Sequence, residues 1–418
     1  VMKLIKAIIS IICCLLLLPG AGACSSGNDS PGNGGGEPVL PGTLDPVAVT
    51  KTNPIKLYVH YMPWFEDPAS NNGTWGQHWT MSNCNPDKVN SNGKREIASR
   101  YYPLIGPYAS SDTDVLNYHL LLMKYSGIDG ILVDWYGIQD KWDYPANKRN
   151  TEALVKAVER TGLELAIVYE DQTLKDLSKQ GQLTQAKQDL KYLENSFFSK
   201  DCYIRINSKP LLMTFGPQTI QTPEEWNDVL GSLKNRPTFL TLYTFSASTA
   251  NNSQYTNAVG EYLWVDAQPE KAYEQKDKFN VFMGGAMPGF DAYYKEGGWG
   301  DNPHVKVDSE NGALFTRQLE AARTAGLDHL QLIPWNDFGE GTNIEPTQEW
   351  EYRYLTALQQ FAGVTYSESV LKDVYRWYVL EKEYAKDAAA QKILSQAFYY
   401  FVSLQADKAQ QLMNELKK

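Results

Sequence analysis

From residue 55 onward the chain alternates between two hydrophobic patterns. The first is a short run that is apolar almost throughout. It occurs at Lys56–Tyr61 (KLYVHY), Ile128–Trp135 (IDGILVDW), Leu163–Tyr169 (LELAIVY), Pro210–Phe215 (PLLMTF), Thr238–Thr244 (TFLTLYT), Tyr262–Asp266 (YLWVD), Asn280–Ala286 (NVFMGGA) and His329–Trp335 (HLQLIPW). Short apolar runs without strict alternation fit strands covered on both faces, as in a parallel sheet. The second pattern has apolar residues three and four apart, at Thr113–Tyr125, Thr151–Arg160, Thr184–Ser196, Pro223–Leu233 and Leu314–Ala325, which predicts helices with one buried stripe. Gly127, Gly162 and Gly326 follow helix ends, where a left-handed residue is favoured. Strands alternating with helices in this way predict an α/β fold, a (β/α)8 TIM barrel over residues 54–365. A doubly wound sheet is the rival, but no GxGxxG turn follows the first strand, which argues against its dinucleotide-binding form. Trp350–Phe361 reads as the last barrel helix. Residues 366–418 read as additional C-terminal helices packed on the barrel, with one or two amphipathic helices from Val370, and no separate second domain is expected.

The N-terminus follows neither pattern. Lys3 and Lys6 precede an apolar run from Ala7 to Leu18 and then small residues, the layout of a secretory signal and too short to span a membrane. Ala21-Gly22-Ala23-Cys24 resembles a bacterial lipoprotein cleavage site, which implies a signal peptide over residues 1–23 and lipidation of Cys24. Residues 24–53, rich in Gly, Pro, Ser and Asn, read as a flexible linker. The expectation is an outer-membrane lipoprotein of the bacterial envelope, facing the periplasm or the surface, held to the membrane by its lipidated N-terminus. Cys84 and Cys202 are then left, and two free thiols are expected.

Composition narrows the class of partner. The formal charge is −10, becoming −12 without the signal, and no Lys/Arg run interleaved with aromatics is present, so no nucleic-acid partner is expected. The five histidines show no HxH or HExxH spacing, so neither metal nor other cofactor is expected. A monomer is expected. The 11 Trp, 26 Tyr and 14 Phe suit stacking on sugar faces and suit an aromatic core nearly as well.

In a parallel barrel the site lies at the C-terminal ends of the strands, and acids and aromatics gather there. The first strand ends in His60 and Tyr61 and leads to Trp64; the following loop carries His78 and Trp79. Asp134 and Trp135 end the second strand, Glu170 follows the third, and Phe290 and Asp291 follow the seventh. The eighth leads into Trp335-Asn336-Asp337-Phe338-Gly339-Glu340-Gly341-Thr342 and then Glu345. Each outlying residue also has a plain structural reading: Asp134 and Asp291 as helix caps, Trp64, Trp79 and Trp135 as core, His78 as a bonded core histidine. Asp337 and Glu340 are harder to read so. Their spacing of three, with Gly339 and Gly341 alongside, suits one tight turn with both carboxyls on one side. Carboxyls held close repel, so one keeps its proton near neutral pH. Glycoside cleavage needs that division between a protonated acid and an ionised partner.

These residues resemble glycoside hydrolase families 71 and 99. Asn336-Asp337-Phe338-Gly339-Glu340 is similar to the Asn-Asp-Tyr-Gly-Glu run of family 71, while Gly341-Thr342 and Ile344-Glu345-Pro346 are similar to family 99. His60-Tyr61-Met62-Pro63-Trp64-Phe65, the Trp75–Trp79 loop and Met287-Pro288-Gly289-Phe290-Asp291 resemble family 99 segments. The resemblance implies an endo-acting α-glycosidase on a barrel, cleaving α-mannan or α-1,3-glucan. By position it makes Glu340 the general acid, Asp337 the base, and Glu170 a sugar-binding residue. His60, Tyr61, Trp64, His78, Trp79, Asp134, Trp135, Phe290, Asp291, Trp335, Asn336, Thr342 and Glu345 complete the expected substrate-binding set. Asp337 is one methylene shorter than the family 99 glutamate at this position, which leaves room for a water-activating role. The alternative functions are a catalytically weak or inactive glycan-binding lipoprotein on the same barrel, and a transferase.

Overall fold

The computed structural model describes residues 42–416 apart from residue 303. The expected signal peptide, Cys24 and the linker up to residue 41 lie outside the described residues.

Eight parallel strands close into a barrel: β1 (Lys56–Tyr61), β2 (Gly130–Trp135), β3 (Glu164–Tyr169), β4 (Lys209–Thr214), β5 (Thr238–Leu242), β6 (Gly260–Tyr262), β7 (Val281–Ala286) and β8 (His329–Leu332). Consecutive strands pair in order, and β8 returns to β1 with Lys56 opposite His329 and Val59 opposite Leu332. β3 pairs directly with β4 through Ile167 opposite Leu212. The two-residue strand Arg205–Ile206 adds an antiparallel edge to β4. Seven of the apolar runs supply a barrel strand within a few residues of their bounds, while the sixth, Tyr262–Asp266, shares only Tyr262 with β6, which starts at Gly260.

The helical layer comprises α1 (Thr113–Tyr125), α2 (Tyr144–Thr161), α3 (Lys179–Ser196), α4 (Pro223–Gly231), α5 (Ala313–Thr324) and α6 (Arg353–Ala362). Asp112 caps α1 by accepting from the Asp114 backbone N–H at 2.9 Å, and Gly162 ends α2 in the left-handed conformation, as capping physics favours. Between β5 and β6, and between β6 and β7, no long helix forms. Single turns at Ser246–Ala250 and Glu270–Tyr273 take their place.

Two expectations are corrected. The C-terminal region holds three helices, α7 (Glu368–Glu383), α8 (Ala388–Val402) and α9 (Ala406–Glu415), because Leu404, at φ 60°, turns the chain between the last two. The stretch before the barrel is not a free linker as far as Asn53. From Gly42 it is tied down: the Gly42 N–H bonds the Gln396 side chain at 2.9 Å, the Val47 N–H bonds the Val402 carbonyl at 3.0 Å, and Lys51 pairs with Asp129. Carbonyls and side chains of the C-terminal helices supply the acceptors that this apolar-poor segment lacks.

Strand alternation decides which residues reach the barrel's interior. His60 points inward, against Trp264 with ring centroids 4.6 Å apart. Its neighbour Tyr61 points out and meets His119 of α1 at 3.1 Å. In the same way Trp135 stacks on Tyr192 of α3, and the Tyr169 hydroxyl donates to Asp189 of α3 at 2.6 Å. Side chains one residue apart on a strand face opposite sides, so Asp134 and Glu170 are left facing in.

Candidate active site

After β8 the chain forms a two-strand hairpin in which Asn336 faces Asn343 and Asp337 faces Thr342. The four residues 338–341 make its turn, with Asp337 at its foot. The Asp337 Oδ1 accepts from the Glu340 backbone N–H at 3.0 Å, a bond that aspartate makes well at the entry to a turn. Gly341 follows at φ +58°, and a Cβ there would lie 2.3 Å from the Asp291 carbonyl oxygen. That close approach lets the loop after β7 grip the turn: the Asp291 and Tyr293 N–H groups donate to the carbonyls of Glu340 at 3.1 Å and Gly339 at 2.8 Å.

A buried polar network grips the other side. The Asn336 side chain brackets Met62, accepting from its N–H at 2.8 Å and donating to its carbonyl at 3.0 Å. It also donates to the Tyr108 hydroxyl at 3.1 Å. Tyr108 donates to Glu345 at 2.7 Å, and Glu345 faces His119 at 3.3 Å. The hairpin is thus locked to the exit of β1, the loop before α1, and α1 itself.

Four carboxyls come together at this end of the barrel: Asp134, Glu170, Asp337 and Glu340. Burial raises the pKa of each because a low dielectric disfavours charge. For Asp134 the charge of Asp337 adds to burial, and for Glu170 the charges of Asp134, Asp171 and Glu340 do so. Asp337 is pushed up to about 7 by burial, with the backbone N–H groups of Glu340 and Gly339 pulling the other way. Glu340 is driven well above the carboxylate range by burial and then by Asp337, opposed by the Tyr294 hydroxyl, which donates to its Oε1 at 3.3 Å. The Glu340 Oε2 and both Asp134 oxygens are buried without a donor. For Asp134 the neighbouring Glu170 supplies a donor once it is protonated. His60 lies in the same interior; burial lowers its pKa to about 3, so it is neutral.

Glu170 opens onto a cleft of about 670 Å³, also lined by Gln77, His78, Tyr136, Asp143 and Gln172. His78 stacks on Trp64 with centroids 4.2 Å apart and planes 6° apart, and its Nε2 lies 3.2 Å from Asp143. The protein therefore offers a trough of rings and hydrogen-bonding groups leading to a group of acids whose protonated forms burial favours.

Of the residues expected from sequence, the structure brings Asp134, Glu170, Asp337 and Glu340 together, with His60, Trp64 and His78 beside them. It places the others elsewhere. Tyr61, Trp135 and Trp335 are fully buried and face outward or into packing, against His119, Tyr192 and His119 respectively. Trp79 is core, packed on Phe65 and Phe338. Asn336 and Glu345 belong to the locking network. Thr342 bonds the Ile333 carbonyl at 3.3 Å. Phe290 is buried and edge-on to His304, and the Asp291 carboxylate is engaged by Arg100 at 3.4 Å and Lys306 at 2.7 Å. The expected site left out Tyr136, Asp143 and Tyr294. Tyr136 carried the signal of following Asp134 at a strand end; Tyr294 opens the short helix Tyr294–Gly297 and Asp143 precedes α2, in segments whose folding back carries no local mark.

Residues 53–238 match the family model described as glycosyl hydrolase family 99. That stretch runs from before β1 to the start of β5, so it includes His60, Asp134 and Glu170 but not the hairpin. The chain is 23% identical over 334 residues to a glycoprotein endo-alpha-1,2-mannosidase-like protein of Danio rerio, covering 69% of this chain and 70% of that protein. It is 24% identical over 327 residues to the Homo sapiens protein of the same description, covering 69% and 68%. Among solved structures, the GH99 endo-alpha-mannosidase from Bacteroides thetaiotaomicron superposes with TM-score 0.55 at 18% identity, over 76% of this chain and 98% of that one. Together these show a TIM-barrel fold shared with a GH99 endo-alpha-mannosidase and a likeness to glycosyl hydrolase family 99 over residues 53–238.

Proposed function

We propose that this chain cleaves α-linked glycans, α-mannosides foremost, within the chain, with Glu340 as general acid and Asp337 as base. One observation carries the reading: a single clamped hairpin holds both carboxyls and gives them different surroundings. Asp337 accepts backbone N–H groups that favour its ionised form. Glu340 has one oxygen without a donor and sits in the field of Asp337, which favours its protonated form. Glu340 therefore delivers a proton to the leaving oxygen while Asp337 withdraws one, from a water or from a hydroxyl of the sugar, as oxocarbenium-like cleavage requires. Glu170 lines the approach and bonds sugar hydroxyls, with the buried Asp134 behind it. The mannosidase names of the relatives favour α-mannan; α-1,3-glucan remains in the panel because of the likeness of residues 336–340 to family 71.

The test is incubation of the purified chain with yeast α-mannan and fungal α-1,3-glucan, with products and anomer identified by NMR. Internal cleavage of one of them, abolished in Glu340→Gln, is the expected result. Binding without any product after days would replace this reading with that of a glycan-binding barrel. The N-terminal sequence further supports anchoring at a bacterial envelope through Cys24; incorporation of labelled palmitate by the native chain and its loss in Cys24→Ser tests this.

A further inference from the structure

Among the described residues, the large hydrophobic side chains left exposed are four valines and two tryptophans, Trp142 at 64% and Trp299 at 41%. Both tryptophans line the cleft that Glu170 opens onto. They arrive from different loops, after β2 and after β7, so their shared position comes from the fold and not from adjacency in sequence.

Each ring is held where it stands. Trp142 has φ +52°, a left-handed conformation that is costly for a bulky residue and persists only when its surroundings impose it. Here they do. Lys141, anchored on Asp176 at 2.6 Å, puts its ammonium 3.7 Å from the Trp142 ring centroid. The next residue, Asp143, is fixed by Gln77 at 2.8 Å and His78 at 3.2 Å. Tyr144 sets its ring edge-on to Trp142 at 5.5 Å. Trp299 lies edge-on to His78 at 5.7 Å and 5.8 Å from Tyr294, the residue that bonds Glu340. The strained backbone and the exposed ring make no contribution to the core, and a ring wet on the surface gains by covering its face.

We propose that Trp142 and Trp299 form an outer sugar subsite, aromatic platforms that stack on pyranose units of a neutral glycan beyond the bond being cut. The ligand is neutral because Lys141 is already committed to Asp176 and the Asp143 carboxylate offsets Lys175, a cation on the lining. A platform at the rim gives a long chain more contact than a short one, so the subsite sets a preference for polymers. This rests on the proposed glycoside cleavage for its catalytic readout only.

The experiment compares the full chain, purified in mild detergent, with Trp142→Ala, Trp299→Ala and the conservative Trp142→Phe. On yeast α-mannan, kcat/KM is expected to fall about tenfold in each alanine variant, at least five times more than on a short aryl α-mannoside, with Trp142→Phe recovering most of the loss. An equal loss on both substrates, or none on the polymer, overturns the subsite and leaves the proposed activity standing. Affinity electrophoresis in gels cast with the same polysaccharides separates the two claims. Retardation of the wild type that disappears in the alanine variants supports the subsite even if nothing is cleaved. No retardation and no cleavage of any α-glycan overturns both.

Discussion

Asp337 and Glu340 are three residues apart, yet their environments differ in the way the proposed acid and base roles need. The assignment has a stability consequence as well as a catalytic one. Glu340 has a raised folded pKa, so its contribution to stability is fullest below the unfolded value of about 4.3 and is lost as pH rises toward the folded value. Replacing it by glutamine removes that loss. Glu340→Gln is expected to lower kcat by about 10²–10⁴ and also to raise Tm at pH 8 by roughly 1 °C per kcal/mol recovered. Calorimetry at pH 4, 6 and 8 checks this: a Tm difference that does not grow with pH would mean that Glu340 ionises freely. Activity should have an acidic limb near pH 7, where Asp337 takes up its proton, and an alkaline limb where Glu340 loses one. In Asp337→Asn the neighbouring charge is gone, so the Glu340 carboxyl, followed by ¹³C NMR, should titrate at lower pH than in the wild type. An unmoved or higher titration would count against the pairing.

At the scale of the element, the hairpin after β8 owes its position to partners far away in sequence. Gly341 admits the Asp291 backbone, and an added methyl meets that carbonyl in a backbone conformation that already disfavours it. Gly341→Ala is therefore expected to displace Glu340 and cut kcat at least about tenfold, with a loss of about 1–3 kcal/mol measured by denaturant unfolding; full activity would show that the turn tolerates a shift. Tyr108 is the second test. Phenylalanine keeps the ring between Phe65 and Trp79 but removes the hydroxyl that joins Asn336 to Glu345. Leaving Glu345 short of a donor should cost about 1–3 kcal/mol, with kcat lowered and KM nearly constant because the sugar contacts are untouched. A change confined to KM would mean that Tyr108 reports on binding and not on the hairpin's alignment.

For the whole molecule, the C-terminal helices and the segment from Gly42 behave as part of the barrel's outer layer. Tyr118 of α1 packs on Tyr378 at 5.1 Å, the Tyr125 hydroxyl donates to the Phe401 carbonyl at 2.9 Å, and Trp377, Leu394, Phe401 and Met413 are almost fully buried. Ending the chain at Thr365 uncovers all of this apolar surface, so the truncated protein is expected to aggregate on expression; a soluble, monodisperse product by size-exclusion chromatography would refute that. Sequence by itself determined the eight strands, most of the helices and the turn at the two acids, because hydrophobic periodicity and glycine placement are local properties that survive in any context. It determined much less about which rim residues meet. Tyr61 and His60, or Trp135 and Asp134, are adjacent and chemically plausible alike, and only the direction of each strand's side chains in the closed barrel separates the interior partner from the packing one. Likewise Glu345 and Asn336 read as sugar-binding groups until the fold set Tyr108 and His119 against them, and Trp142 and Trp299 share a cleft only because two loops 157 residues apart end on the same rim. Closure of the barrel decides such pairings, since it alone fixes distances between segments that the chain order leaves independent.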